Sequence, residues 1–297
     1  MRLFAKSAAN SFFAAIAVNC AYLILLVFLS SIFASAQEIR IAAASDLEFV
    51  FKEVALRFAK QTGKHVQVSF GSSGNFFSQI QNGAPFDLFF SADIEYPQKL
   101  ESAGFTEPGT LYQYARGKIV LWAANESGID VSLGLKTLLD FQIKKVAIAN
   151  PAHAPYGRAA VGALKSVGIY EKISEKLVFG ENISQAASFV ASGNADAGII
   201  ALSLALSPNM KSKGRYFLIP SESYPSLEQA GIILKSSQKK ELAGCFMEFL
   251  REPEIVELMK QYGFERPNGV AKMGMIPKKT GKGDESLNKP CSCCRRP

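Results

Sequence analysis

Histidine is nearly missing from this 297-residue chain: only His65 and His153 occur. No cluster of histidines or carboxylates gathers at the turns described below, so a bare metal-cation site has no ligand set there. His153 with Ser45 or Ser73 and an aspartate could be written as a catalytic triad. However, the Gly-x-Ser-x-Gly elbow is absent, His65 stands at a strand entry, and His153 reads as a loop residue. A Walker pattern for nucleotide phosphates is also absent. These gaps argue against an enzyme. Cysteine is scarce where it matters. Of five cysteines, Cys245 alone lies between residues 37 and 267, so no disulfide can form within that stretch. Its apolar helical surroundings make it a core thiol. No internal repeat is seen.

Charge is lacking too, in the sense that counts. The net charge is +7, but residues 37–267 are balanced, with +2 contributed by residues 1–36 and +5 by residues 268–297. A neutral body gives no support for a nucleic-acid partner. What is present is ordinary globular composition, 48% apolar and 20% charged, which excludes a disordered, collagen-like or disulfide-dense chain.

The two ends stand apart from the body. Arg2 and Lys6 precede an almost wholly apolar run from Ser11 to Phe33, which closes with Ala34-Ser35-Ala36. This is the form of a secretory signal, 1–36, cleaved after Ala36. The run is also about long enough to span a bilayer, so an uncleaved anchor is the alternative. In either case the body is exported. From Asn268 the composition turns to Lys, Gly and Pro, ending in Cys291, Cys293 and Cys294. Such a segment buries too little surface to order itself, and the cysteines match no closed zinc pattern. It reads as a disordered tail.

Between the ends, strand and helix patterns alternate. Ile39–Ala44, Val66–Phe70, Asp87–Ser91, Lys118–Ala123, Val146–Ala149, Leu177–Phe179, Ala197–Ala201 and Gly231–Leu234 read as strands, most followed by residues at helical spacing. The pattern predicts an α/β fold with mostly parallel sheets covered by helices. So many units imply two sheets, hence two lobes. The expected division is 37–116 plus 230–267 for one lobe and 117–229 for the other, with crossings near Ala115-Arg116-Gly117 and Gln229-Ala230-Gly231.

Four strand-to-helix turns carry the functional reading. Ser45-Asp46-Leu47-Glu48 has the form of a capping box. Gly71-Ser72-Ser73-Gly74 lets the backbone turn its N–H groups to one side, with Ser73 as a cap. Asn150-Pro151-Ala152-His153-Ala154-Pro155-Tyr156-Gly157 is the third, and Asn182-Ile183-Ser184-Gln185 is a second capping box. In an open sheet all four lie at strand carboxyl ends, where ligands bind. Two come from each half of the chain. Facing lobes would converge four sets of free N–H groups on one cleft, a site suited to a small anion.

These residues also carry a family resemblance. Ala-Ala-Ala-Ser45, Gly71-Ser72-Ser73-Gly74, Pro85-Phe-Asp87 through Ser91-Ala92-Asp93, Ala154-Pro155-Tyr156-Gly157 and Tyr262-Gly263-Phe264 resemble the molybdate-binding proteins of bacterial ABC importers. The resemblance spans about Ile39 to Phe264. It implies a type II two-lobed periplasmic fold with molybdate or tungstate in the interlobe cleft, no cofactor, a membrane permease as partner, and a monomer in the periplasm. Carried over by position, the oxyanion ligands are the hydroxyl and amide of Ser45, the amide of Asp46, the hydroxyl and amide of Ser73, and the amides of Tyr156 and Ile183. One departure is Ala201, where some members supply a tyrosine hydroxyl. Asp46 is another oddity, because a carboxylate repels a dianion; its side chain is expected to point away. Arg158 is expected to be solvated. A sulfate- or phosphate-type binding protein and a membrane-anchored sensing domain are the alternatives.

Overall fold

A computed structural model describes residues 38–267. The proposed signal segment 1–36 and the basic tail 268–297, with Cys20, Cys291, Cys293 and Cys294, lie outside the described residues.

The first sheet grows from β1 (Glu38–Ala44), β2 (His65–Gly71), β3 (Leu88–Ser91), β4 (Tyr112–Gly117) and, far along the chain, β10 (Leu227–Ile233). Its order is β2-β1-β3-β10-β4. β1 and β3 are parallel, with Ala42 opposite Phe89. β10 is antiparallel to both β3 and β4. The second sheet contains β5 (Ile119–Ala124), β6 (Val146–Ala149), β7 (Leu177–Gly180), β8 (Ala197–Ala201) and β9 (Gly214–Leu218), in the order β7-β6-β8-β5-β9. β6 is parallel to β7 and β8, whereas β5 is antiparallel to β8 and β9. Both sheets are therefore mixed. The expected parallel pairing is present, and antiparallel strands are added on one side. Of these, β4 and β9 escaped the sequence reading because polar residues interrupt them.

Helices cover the sheets. α1 (Glu48–Thr62), α2 (Ser73–Gln81) and α3 (Glu95–Ser102) follow β1, β2 and β3. α4 (Pro155–Ser166), the short α5 (Tyr170–Ile173), α6 (Ile183–Ala191) and the short α7 (Leu202–Ala205) belong to the second sheet. α8 (Lys240–Phe249) and α9 (Pro253–Gln261) return to the first. The first core is aromatic: Phe51, Phe58, Phe90, Phe246 and Phe249 meet edge to face at centroid distances of 5.0 to 6.0 Å, pairs that add about 0.5–1.5 kcal/mol each beyond area burial. The second is packed mainly from Ala, Ile, Leu and Val around Trp122. Cys245 is buried at 3% exposure in the first core, as expected. It is not a free thiol, however. It is disulfide-bonded.

The chain leaves the first sheet at Gly117 and enters the second at Ile119. On the way back, β10 pairs with β4 from Leu227, opposite Gly117, and a bulge interrupts the ladder between Gln229 and Ala230. Among the described residues no helix is long and apolar enough to cross a membrane.

Candidate functional site

All four turns meet across the seam between the lobes. Ser45, Asp46, Ser73, Tyr156 and Ile183 are each 3% exposed or less, so the lobes are closed over them.

The first turn departs from the capping box. Ala44 takes the cap position, with no side-chain bond. Ser45 instead reaches across the seam: its Oγ donates to Asn182 Oδ1 at 3.2 Å and accepts from the Ser184 N–H at 3.3 Å. Ser184 Oγ lies 2.9 Å from both the Ser45 carbonyl and Glu48 Oε2. Glu48 thus serves the opposite lobe rather than its own helix start.

In the second turn Ser72 caps α2, not Ser73; Ser72 Oγ accepts the Asn75 N–H at 3.4 Å. Ser73 is the first helical residue, and its Oγ accepts the Ala92 N–H at 3.0 Å. That bond fixes the oxygen and leaves its O–H as a donor. Gly74 donates its N–H to the His153 carbonyl at 2.9 Å. A Cβ at Gly74 would stand 2.6 Å from that carbonyl and 2.6 Å from Tyr96 Oη, so only glycine permits this approach.

The third turn is folded on Asn150, whose Oδ1 accepts the Ala152 N–H at 3.0 Å. Pro155 then opens α4, which puts the Tyr156 N–H in the first turn, where no intrahelical acceptor exists. His153 does more than shape this loop. Its Nδ1 is 2.8 Å from Ser72 Oγ, and Ser72 also donates to the His153 carbonyl at 2.9 Å. The Ser72 hydroxyl is thereby used as a helix cap and an interlobe tie. Neither Ser45 nor Ser73 is bonded to His153, so the triad written from the sequence does not form.

The fourth turn keeps half of its box: Asn182 is the cap, but Gln185 reaches past it to the preceding residue. Asn182 Oδ1 accepts the Gln185 N–H at 3.0 Å, and Gln185 Oε1 accepts the Glu181 N–H at 2.6 Å. Ile183 opens α6 with its N–H among the unpaired first-turn donors. Asn75 Nδ2 donates to Glu181 across the seam.

Arg158 is not the solvated charge expected from the sequence. It pairs with Asp93 of the other lobe and lies 5.5 Å over the Tyr96 ring. Burial pushes the Asp93 carboxyl up, opposed by the Tyr96 N–H and by Arg158.

Asp46 turns its side chain into the seam. Oδ2 accepts from Tyr156 Oη at 2.9 Å and from Gln229 Nε2 at 2.6 Å, while Oδ1 is buried without a partner among the described residues. Ser203 Oγ, from α7, donates to its carbonyl at 2.8 Å. Burial raises the Asp46 pKa from 3.8 to about 6, against the lowering bonds from Gln229 and Tyr156. Burial also drives Tyr156 and Tyr114 well above the usual phenol range, so both remain neutral donors. Gln229 and Ser203 were not legible as site residues; each becomes one only through the docking of the two lobes.

Two α/β lobes with helix starts meeting across a buried seam have the architecture of a solute-binding protein. Residues 39–265 match the family described as bacterial extracellular solute-binding protein, and the chain belongs to that family. It is similar to the molybdate-binding protein ModA of Rhodobacter capsulatus, 37% identical over 78% of this chain and 89% of that one. It is also similar to the molybdate-binding protein ModA of Azotobacter vinelandii, 39% identical over 78% of this chain and 91% of that one. The solved Azotobacter vinelandii periplasmic molybdate-binding protein superposes with a TM-score of 0.74 at 37% identity, over 77% of this chain and all of that one.

Proposed function

We propose that this protein is the extracytoplasmic solute-binding component of an ABC importer and that it binds molybdate, or tungstate. The observation that carries this reading is the convergence of four strand-end turns on one buried seam. The ligands are the hydroxyl and amide of Ser45, the amide of Asp46, the hydroxyl and amide of Ser73, and the amides of Tyr156 and Ile183; to donate to the anion the Ser45 hydroxyl turns from Asn182 Oδ1, which keeps the Gln185 N–H. The relatives named for molybdate binding support the choice of anion.

The physics follows from neutral donors. A dianion cannot enter a dry cleft unless its lost hydration is replaced. Each hydrogen bond to a charged group contributes about 1.5–3 kcal/mol net, and each helix start adds roughly 0.3–1 kcal/mol through its dipole. No chemical step is involved. The anion binds one lobe and the second closes by rotation about the crossings, excluding water. We place the lobes at 37–116 plus 230–267 and 117–229. A monomer, exported with its signal removed after Ala36, would then present the closed form to a membrane permease.

The test is calorimetric titration of the exported protein with molybdate, tungstate, sulfate and phosphate in turn. Tight binding of molybdate and tungstate, with sulfate and phosphate far weaker, is the expected result. Preference for sulfate or phosphate would transfer the protein to another oxyanion.

A further inference from the structure

Where the two strands cross between the lobes, four buried residues and the half-buried Tyr114 form a cluster that the anion ligands alone do not explain. β4 brings Tyr114 and Gly117, β10 brings Gln229, the first turn brings Asp46, and α4 brings Tyr156. Gln229 is fully buried. It sits at the β10 bulge, a feature that re-aims side chains. Its amide orientation follows from its partners: Oε1 accepts from Tyr114 Oη at 2.8 Å, while Nε2 donates to Asp46 Oδ2 at 2.6 Å and lies 3.1 Å from Tyr156 Oη. Gly117 makes room for this. A Cβ there would stand 2.3 Å from Tyr156 Oη and 2.7 Å from Gln229 Nε2.

We infer that Gln229 is a positioning residue for the anion site, acting through the Asp46 carboxylate on Tyr156. The inference rests on the oxyanion reading and deepens it. Asp46 and Tyr156 each face two ways. Their main-chain N–H groups belong to the binding turns, whereas their side chains meet at the crossing. Asp46 comes from the first lobe and Tyr156 from the second, so their bond exists only when the lobes are together. Gln229, held by Tyr114, fixes where the Asp46 carboxylate stands, and the carboxylate fixes Tyr156. Among the described residues no cation shares the cluster: the groups facing the carboxylate are the phenols of Tyr156 and Tyr114 and the Gln229 amide. The anion donors of the two lobes are thus brought into register by a hydrogen-bonded brace, centred on one carboxylate, at the crossing.

The experiment compares the exported protein with Gln229→Met, Tyr156→Phe and the double variant, measuring molybdate affinity by calorimetry and the melting temperature without anion. Each single variant should bind molybdate about 10- to 100-fold more weakly, the range of one hydrogen bond to a charged group. The double variant should lose little more than the worse single, because both act through one carboxylate. A merely structural role would lower the melting temperature and leave the affinity of the folded protein unchanged; affinities within about twofold of the wild type would overturn the inference while leaving the oxyanion reading intact. If Gln229→Met does not fold, Tyr156→Phe decides alone, since it removes only an oxygen. A wild type that binds none of the four oxyanions sinks the underlying reading, and the inference with it.

Discussion

The seam between the lobes has two unlike ends. At the crossing, Asp46, Tyr156 and Gln229 are at most 2% exposed and contain no cation. At the outer end, Arg158 pairs with Asp93, and the His153 and Glu181 side chains are 20% and 58% exposed. The inner contacts are short, dry and neutral-to-carboxylate; the outer ones are ionic, with Asp93 buried but Arg158, His153 and Glu181 reaching solvent. Bonds at the dry end are costly to lose because a buried group stays unpaired. The exposed His153–Glu181 tie is screened and weak. The difference implies that the crossing sets the geometry of closure and the outer rim only adjusts its population.

The largest expected effect comes from crowding the inner end. Gly117→Ala should lower unfolding free energy by about 1–3 kcal/mol, as overpacking does, and weaken anion binding as well; denaturant unfolding and calorimetry read the two effects. Next, Ser73→Ala removes one donor to the anion. Affinity should fall by about 1–3 kcal/mol with only a small change in melting temperature. Unchanged affinity would remove Ser73 from the site.

Acidity sharpens the comparison. The Asp46 carboxyl is raised from 3.8 to about 6 by burial, so the folded, closed state penalises its charged form. Its contribution to stability is fully present below pH ~4 and is lost as pH rises through about 6, with a slope of at most about 1.4 kcal/mol per pH unit. Relative to Asp46→Asn, the wild type should therefore gain stability between pH 6 and pH 4. A flat difference across that window would mean Asp46 is solvated. The smallest effect belongs to the exposed tie at the outer end: Glu181→Ala should weaken binding by about 0–1 kcal/mol, less at high salt.

Much of this arrangement could be read from the sequence, because it depends on local signals. Buried runs such as Val146–Ala149 announce strands, and Asn182 three residues before Gln185 announces a helix start that the structure keeps. Other features were less legible. β9, Gly214–Leu218, is half exposed and carries Arg215 and Tyr216, so no apolar run marks it. α9 does carry Ile255, Leu258 and Met259 at helical spacing, a signal that was there to be used. Ser45 followed by Glu48 resembles a local cap, yet both side chains bond to the opposite lobe. Gln229 is one glutamine in a strand, and only the bulge and the neighbouring lobe give it partners. Contacts made by lobe docking leave no spacing in the chain.

A crystal structure of the exported protein grown with molybdate, with the metal located by its anomalous scattering, tests the central claim most directly. The account predicts a single peak between the lobes, its oxygens within hydrogen-bond reach of the Ser45 and Ser73 hydroxyls and the Asp46, Tyr156 and Ile183 amides. A peak outside this seam, or an anion held chiefly by lysine or arginine side chains, would contradict it.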